Sequence, residues 1–182
     1  MQLRRSVFKP SYLVAAAVLS ALGAVFILMM LLLNPERSPF QPYSPVPGLS
    51  DEANDTVAYM WNVVYRDTLE NDRITSEHAE HLRGVFEASD DVYTRRWALV
   101  IMAAAYAEGA AVPSVADAIM RDSFAEALVD ANWRIRRCGI ASVQDAGLLD
   151  DQRLRALVLQ LEDDPRPEVS ARVRRLRGQG HR

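Results

Sequence analysis

Hydrophobic positions fall into three regimes along the chain. Leu13 to Leu33 is apolar at every position except Ser20 and carries no charge. Asn34 to Gly48 breaks that run with Pro35, Pro39, Pro42, Pro45 and Pro47. From Ser50 onward apolar residues return every three to four positions, the period of amphipathic helices. No alternating run of β-branched residues is long enough for a strand. The pattern predicts an all-α protein with one apolar segment set apart from its body.

The apolar segment fits a membrane span. A helix of 21 residues is about 31 Å long, close to the thickness of a bilayer's hydrocarbon core. A cleaved signal peptide fits less well, because the run is too long and ends at Asn34 and Pro35 without a small-x-small site. Arg4, Arg5 and Lys9 all precede the span, while the first cation after it, Arg37, is balanced by Glu36. The positive-inside rule then puts residues 1–12 in the cytoplasm, 13–33 in the membrane and the rest outside. Ala16, Ser20 and Ala24 are spaced four apart, which gives the span a small-residue stripe suited to packing on another helix.

Residues 34–49 read as a proline-rich linker. In polyproline II geometry such a stretch extends at about 3.1 Å per residue, so it holds the body up to roughly 40 Å from the membrane.

Residues 50–182 read as about seven helices. Ser50 caps the first, with Ala53, Val57, Met60, Trp61 and Val64 inward. Thr75 caps the second, with Ala79, Leu82 and Phe86 inward. A third starts near Asp91, carries Trp97, Val100, Ile101 and Ala104, and stops at Gly109. Ser114 opens a fourth, with Val115, Ala118, Ile119, Phe124 and Leu128. Three shorter helices follow, near Asn132 to Ala146, Asp151 to Leu161 and Arg166 to Leu176. Short connections imply stacked helical hairpins.

Three helix starts align. They are DDVYTRRWA at Asp90, DANWRIRRCG at Asp130 and DPRPEVSARV at Asp164. Thr94, Ile135 and Val169 share one place, followed by Arg95, Arg136 or Ser170 and, four on, by Ala98, Gly139 or Val173. Intervals of 41 and 34 residues suit two-helix repeats. Here the chain resembles the HEAT-repeat family over about residues 89–178, including the HEAT-like repeats of phycobilin lyases. Ser170 and Val173 depart from the family pattern of an arginine and a small residue. The resemblance implies a right-handed-type α-solenoid that binds other proteins.

Composition changes this picture in one respect. Residues 50–130 hold 16 acidic and 6 basic side chains, and residues 131–182 hold 7 acidic and 11 basic. The body is acidic at its start and basic at its end; the net charge of −3 argues against a surface that grips nucleic acid, and DNA and RNA are not normal partners outside the cytoplasm. The candidate partner-binding set is Trp133, Arg134, Arg137, Arg153, Arg172, Arg174, Arg175 and Arg177, suited to an acidic protein or lipid headgroups. His78 and His81, with Glu77 and Glu80, form a weak metal candidate that misses both HExxH and HxxEH spacing. Cys138 reads as a small core residue. No nucleophile elbow or phosphate-binding loop is present, so neither catalytic residues nor a cofactor is expected. Lys9 is the single lysine against twenty arginines, which suggests a GC-rich bacterial genome.

These features converge on a single-pass protein of the bacterial inner membrane with its body in the periplasm. The expected role is a scaffold or accessory subunit of a membrane protein complex, or one that binds an extracytoplasmic protein. The alternatives are a lipid- or polyanion-binding module and a HEAT-like lyase.

Overall fold

Helix formation in the body follows its capping residues. In the computed structural model, which describes residues 40–179, seven helices and no strand are found among the described residues. Helix α1 runs from Asp51 to Asn71, α-helical over Asp51–Tyr59 and Arg66–Asn71 and widened to a π-helix over Met60–Tyr65. Then come α2 (Ser76–Ala88), α3 (Val92–Ala107), α4 (Ser114–Leu128), α5 (Trp133–Asp145), α6 (Gln152–Gln160) and α7 (Pro167–Gln179). Side chains of Ser50, Thr75, Asp91, Asn132 and Asp151 accept the first free N–H groups of α1, α2, α3, α5 and α6, groups that otherwise lack an intrahelical partner. Ser114 opens α4 as expected, and the cap place is the one before it. Pro113 occupies that place without a side-chain bond, its fixed φ leading into the helix. Gly109 and Gly147 turn the chain at positive φ beyond α3 and α5, a conformation that needs no Cβ.

The compact unit begins at Pro42, ahead of the predicted body. Tyr43 to Leu49 are fastened to α1 by Asn54. Its Oδ1 accepts from Tyr43 Oη and from the Val46 N–H, both at 2.8 Å, and its Nδ2 donates to the carbonyls of Val46 and Leu49. The Tyr43 N–H donates to Asn62 Oδ1, and the Tyr43 ring packs against the core. This part of the proline-rich stretch therefore belongs to the body and adds nothing to the reach of a stem. The predicted membrane span with Ala16, Ser20 and Ala24 lies outside the described residues. Among the described residues no helix is long and apolar enough to cross a membrane.

The helices form two layers. Helices α1, α3, α5 and α7 pack in succession in one layer, and α2, α4 and α6 in the other, with α2 also against α3 and α4 against α5. A single core runs between them, with Met60, Leu82, Phe86, Met102, Phe124, Ile135 and Ile140 buried. The predicted inward faces hold for α1 and α2 but slip elsewhere. Val100 is 42% exposed and Val115 56% exposed, and Ala118 is exposed too. In α4 the predicted Phe124 and Leu128 are buried, together with Ala116, Met120, Ser123, Ala125 and Ala127, and the small residues among them let the layers approach. At Gly139 an added Cβ lies 3.1 Å from Ala127 Cβ and 3.2 Å from the Ala127 carbonyl carbon. The small residue in that repeat place is thus where α5 meets α4.

Arginines tie one hairpin to the next. The aligned Thr94, Ile135 and Val169 are all buried. Five residues before each stand Ser89, Asp130 and Asp164, whose side chains accept the backbone N–H two residues on. The structural register thus puts Ser89 in the place the sequence alignment gave to Asp90. Arg95 of α3 reaches forward to Asp130, and Arg136 of α5 reaches forward to Asp164. The second rung is bidentate, at 2.6 and 3.0 Å. The same arginines also hold carbonyls nearer in sequence, Arg95 that of Phe86 and Arg136 those of Asp130 and Ala131. The departures from the repeat pattern now have a reason. In α1 the buried Val57 takes the core place and is followed by Ala58 rather than an arginine, so Ser89 has no guanidinium to meet, and Ser170 has no acidic counterpart after it among the described residues. A second row crosses the other layer, from Arg83 to Glu126 and from Arg121 to Asp151.

Two outcomes follow for stability. Gly139→Val is expected to cost roughly 1–3 kcal/mol, because the added atoms press on backbone that has no room to shift; urea unfolding measures it. Arg136 holds the Asp164 carboxyl below the usual carboxylate range. A depressed carboxyl contributes stability above its unfolded value, near 3.9, and loses that contribution as pH falls through the folded value. Asp164→Ala should therefore cost about 3 kcal/mol at pH 7 and progressively less as pH falls through the depressed folded value. Asp122→Ala, whose partner Arg153 is exposed, should cost under about 1 kcal/mol. An Asp164 penalty that stays constant as pH falls would show that packing, and not charge, accounts for it.

Candidate ligand-binding face

The repeat register that buries Thr94, Ile135 and Val169 also decides which side chains face outward on the α1–α3–α5–α7 layer. Two places after each core residue stand Arg96 and Arg137, both exposed. Three places after stand Trp97, Cys138 and Arg172, and six places after stand Val100 and Ala141. These positions line two adjoining depressions. One, of about 150 Å³, lies between Tyr93, Trp97, Arg96 and Val100. The other, of about 270 Å³, shares Arg96 and Val100 and continues to Trp133, Arg137 and Arg172. Upstream, Trp61 of α1 meets Trp97 edge to face at 5.2 Å, and Tyr93 lies beyond Trp97 at 6.1 Å. The face is a row of half-buried aromatic rings running into a basic cleft.

The arginine doublets divide their labour. In Arg95-Arg96 and Arg136-Arg137 the first residue turns along the layer into a rung, and the second points out with no carboxylate partner among the described residues. Arg134 lies over the Trp133 ring at 5.0 Å, a cation–π contact that fixes its plane. Arg172 donates from Nη2 to Gln144 Oε1 at 3.1 Å, while its buried Nε has no partner. Burial raises the Cys138 thiol above its usual range, and the charges of Arg96 and Arg172 act in the opposite direction. Arg96 of α3 and Arg172 of α7 line the same cleft as Cys138 of α5.

The sequence-based set of partner residues separates accordingly. Trp133, Arg134, Arg137 and Arg172 come together in the cleft. Arg153 pairs with Asp122, and Arg177 with Glu162. Arg174 and Arg175 bond to Ser170 and to the Ala171 carbonyl of their own helix. Arg96 was missed, because composition by halves assigned it to the acidic half; its place beside a ladder arginine was the signal. The spacings of three from Trp97 and four to Ala104 predict Val100 inward, whereas it is exposed.

The histidine pair has other surroundings. His78 Nε2 lies 3.8 Å from Asp67, and its Nδ1 is buried without a partner. His81 packs edge-on against Tyr59 at 4.9 Å, and its pKa is lowered by burial and by His78. Among the described residues no group of three or more His, Cys, Asp or Glu gathers to hold a metal ion.

The chain matches no known protein family, no curated protein and no solved structure. The division of the arginines is directly measurable. Arg96→Ala and Arg137→Ala should each change the unfolding free energy by less than about 0.5 kcal/mol. Arg136→Ala should cost about 3 kcal/mol by stranding the Asp164 carboxylate. Equal losses at Arg136 and Arg137 would erase the distinction.

Proposed function

We propose that this protein is a membrane-anchored, extracytoplasmic scaffold or accessory subunit of HEAT-like architecture, which binds a protein of a membrane complex through the α1–α3–α5–α7 layer. The observation that carries this reading is the contiguous outward row of Tyr93, Trp97, Val100 and Trp133 with arginines beside it, the residue types that dominate binding energy at protein interfaces. Two further features support it. The ladder holds successive helices in one register, so the row meets a partner already ordered and little entropy is lost on docking. The apolar span predicted at residues 13–33 confines the body to the membrane, which raises its effective concentration near membrane partners, so a modest interface is sufficient.

The test uses the full chain in its native membrane, with a photo-crosslinking amino acid at Val100 and, as a control, at Val115 on the opposite layer. One stoichiometric protein should be captured from position 100 and not from 115, and Tyr93→Ala should cut that capture at least ten-fold. Equal capture from both positions, or a lone monodisperse monomer after gentle extraction, would remove the reading.

A further inference from the structure

The basic cleft carries a second role that does not depend on a protein partner. Four of its lining side chains are arginines from three successive helices of one layer, Arg96, Arg134, Arg137 and Arg172. No carboxylate lines the cleft, although the chain as a whole is acidic. Elsewhere in the body Arg66, Arg83, Arg95, Arg121, Arg136 and Arg153 find acidic partners, while Arg174 and Arg175 bond within their own helix and gather around no common space. Four guanidiniums around one small space repel one another, and no carboxylate among the described residues lines that space to offset the repulsion.

Two of the four are held in position. Arg134 is stacked on Trp133, and Arg172 is tied through Nη2 to Gln144. The buried Nε–H of Arg172 has no acceptor. A buried donor left unmade is costly, and an arriving acceptor recovers that cost. The cleft therefore calls for an anion.

Size and charge narrow the ligand class. A volume near 270 Å³ equals about nine waters at ~30 Å³ each, which gives room for one compact head group. A carboxylate brings one charge and two oxygens, and leaves most of the guanidiniums unanswered. A phosphomonoester brings a charge of about −1.5 to −2 and three strong acceptor oxygens, and arginine's planar fork matches it in bidentate geometry. The geometry points to a phosphomonoester site in this cleft, filled by free phosphate or by the monoester headgroup of an anionic lipid.

Isothermal titration of the full chain in phosphatidylcholine nanodiscs, with inorganic phosphate and with soluble dihexanoyl phosphatidic acid, tests the site and separates the two sources. Saturable binding at one site per chain is expected at pH 7.5, weaker at pH 5 as the second phosphate proton returns. Arg96→Gln and Arg137→Gln should each raise Kd at least ten-fold; both residues are exposed and carry no internal ion pair, so folding is retained. Affinity at least ten-fold higher for the lipid than for phosphate assigns a membrane headgroup, and a smaller difference assigns free phosphate. Binding of acetate or polyglutamate as tight as that of phosphate overturns the site, as does phosphate binding unchanged in the Arg96→Gln/Arg137→Gln double variant. Absence of heat with both phosphate probes overturns it equally, and leaves capture at Val100 as a separate result.

Discussion

The body depends on one recurrent interaction, a guanidinium that leaves its own helix and closes on the carboxylate preceding the next helix of the layer. In the Arg136–Asp164 rung the side chains are 13% and 3% exposed, so both ions have given up most of their water. Such a pair is worth having only if geometry and further hydrogen bonds repay the desolvation. Here they do so fully: both carboxylate oxygens are engaged, one also accepts the Arg166 N–H, and the remaining guanidinium nitrogen holds two backbone carbonyls. The rung thereby satisfies loop backbone groups that would otherwise be stranded between helices. Register between repeats is the product, because an arginine one position out of place meets no partner.

Much of this was legible in sequence, for physical reasons that can be named. Caps are local, and Ser50, Thr75 and Asp91 announced three helix starts by chemistry that needs only three or four neighbouring residues. The core places Ile135 and Val169 were visible because burial selects branched apolar side chains at a fixed offset from the cap. The slips occurred where the offset was shared by two faces. Val100 sits four residues before Ala104 and three after Trp97, and spacing alone cannot say on which side of α3 that stripe lies. In α4 the alanines are small enough to serve either face, so Val115 and Ala118 were as eligible as Ala116. Asn54 gave no signal, since its role rests on backbone groups of Val46 and Leu49 that no side-chain pattern reports.

The candidate site shows the same division. Trp133, Arg134 and Arg137 were legible as a basic, aromatic stretch. Arg96 was not, because summed charge over halves of a chain is blind to which residues a stack brings side by side. Position in the repeat is the better guide: Arg96, Arg137, Cys138 and Arg172, each two or three places after a buried core position, all line the cleft. Charge by itself overcounted, since Arg153 and Arg177 are basic by sequence yet already committed to Asp122 and Glu162.

The fastening of Tyr43 to Leu49 along α1 makes the length of the attachment an adjustable quantity. Seven residues are stored against the helix by the amide of Asn54 and a few neighbouring groups, with the Tyr43 ring alone among them reaching the edge of the core. Releasing them leaves the layered helices intact and adds about 22 Å of chain in extended polyproline geometry. Whatever the body is joined to ahead of Pro42, the distance over which it can search is thus governed by a small local opening, at a cost far below that of unfolding the whole.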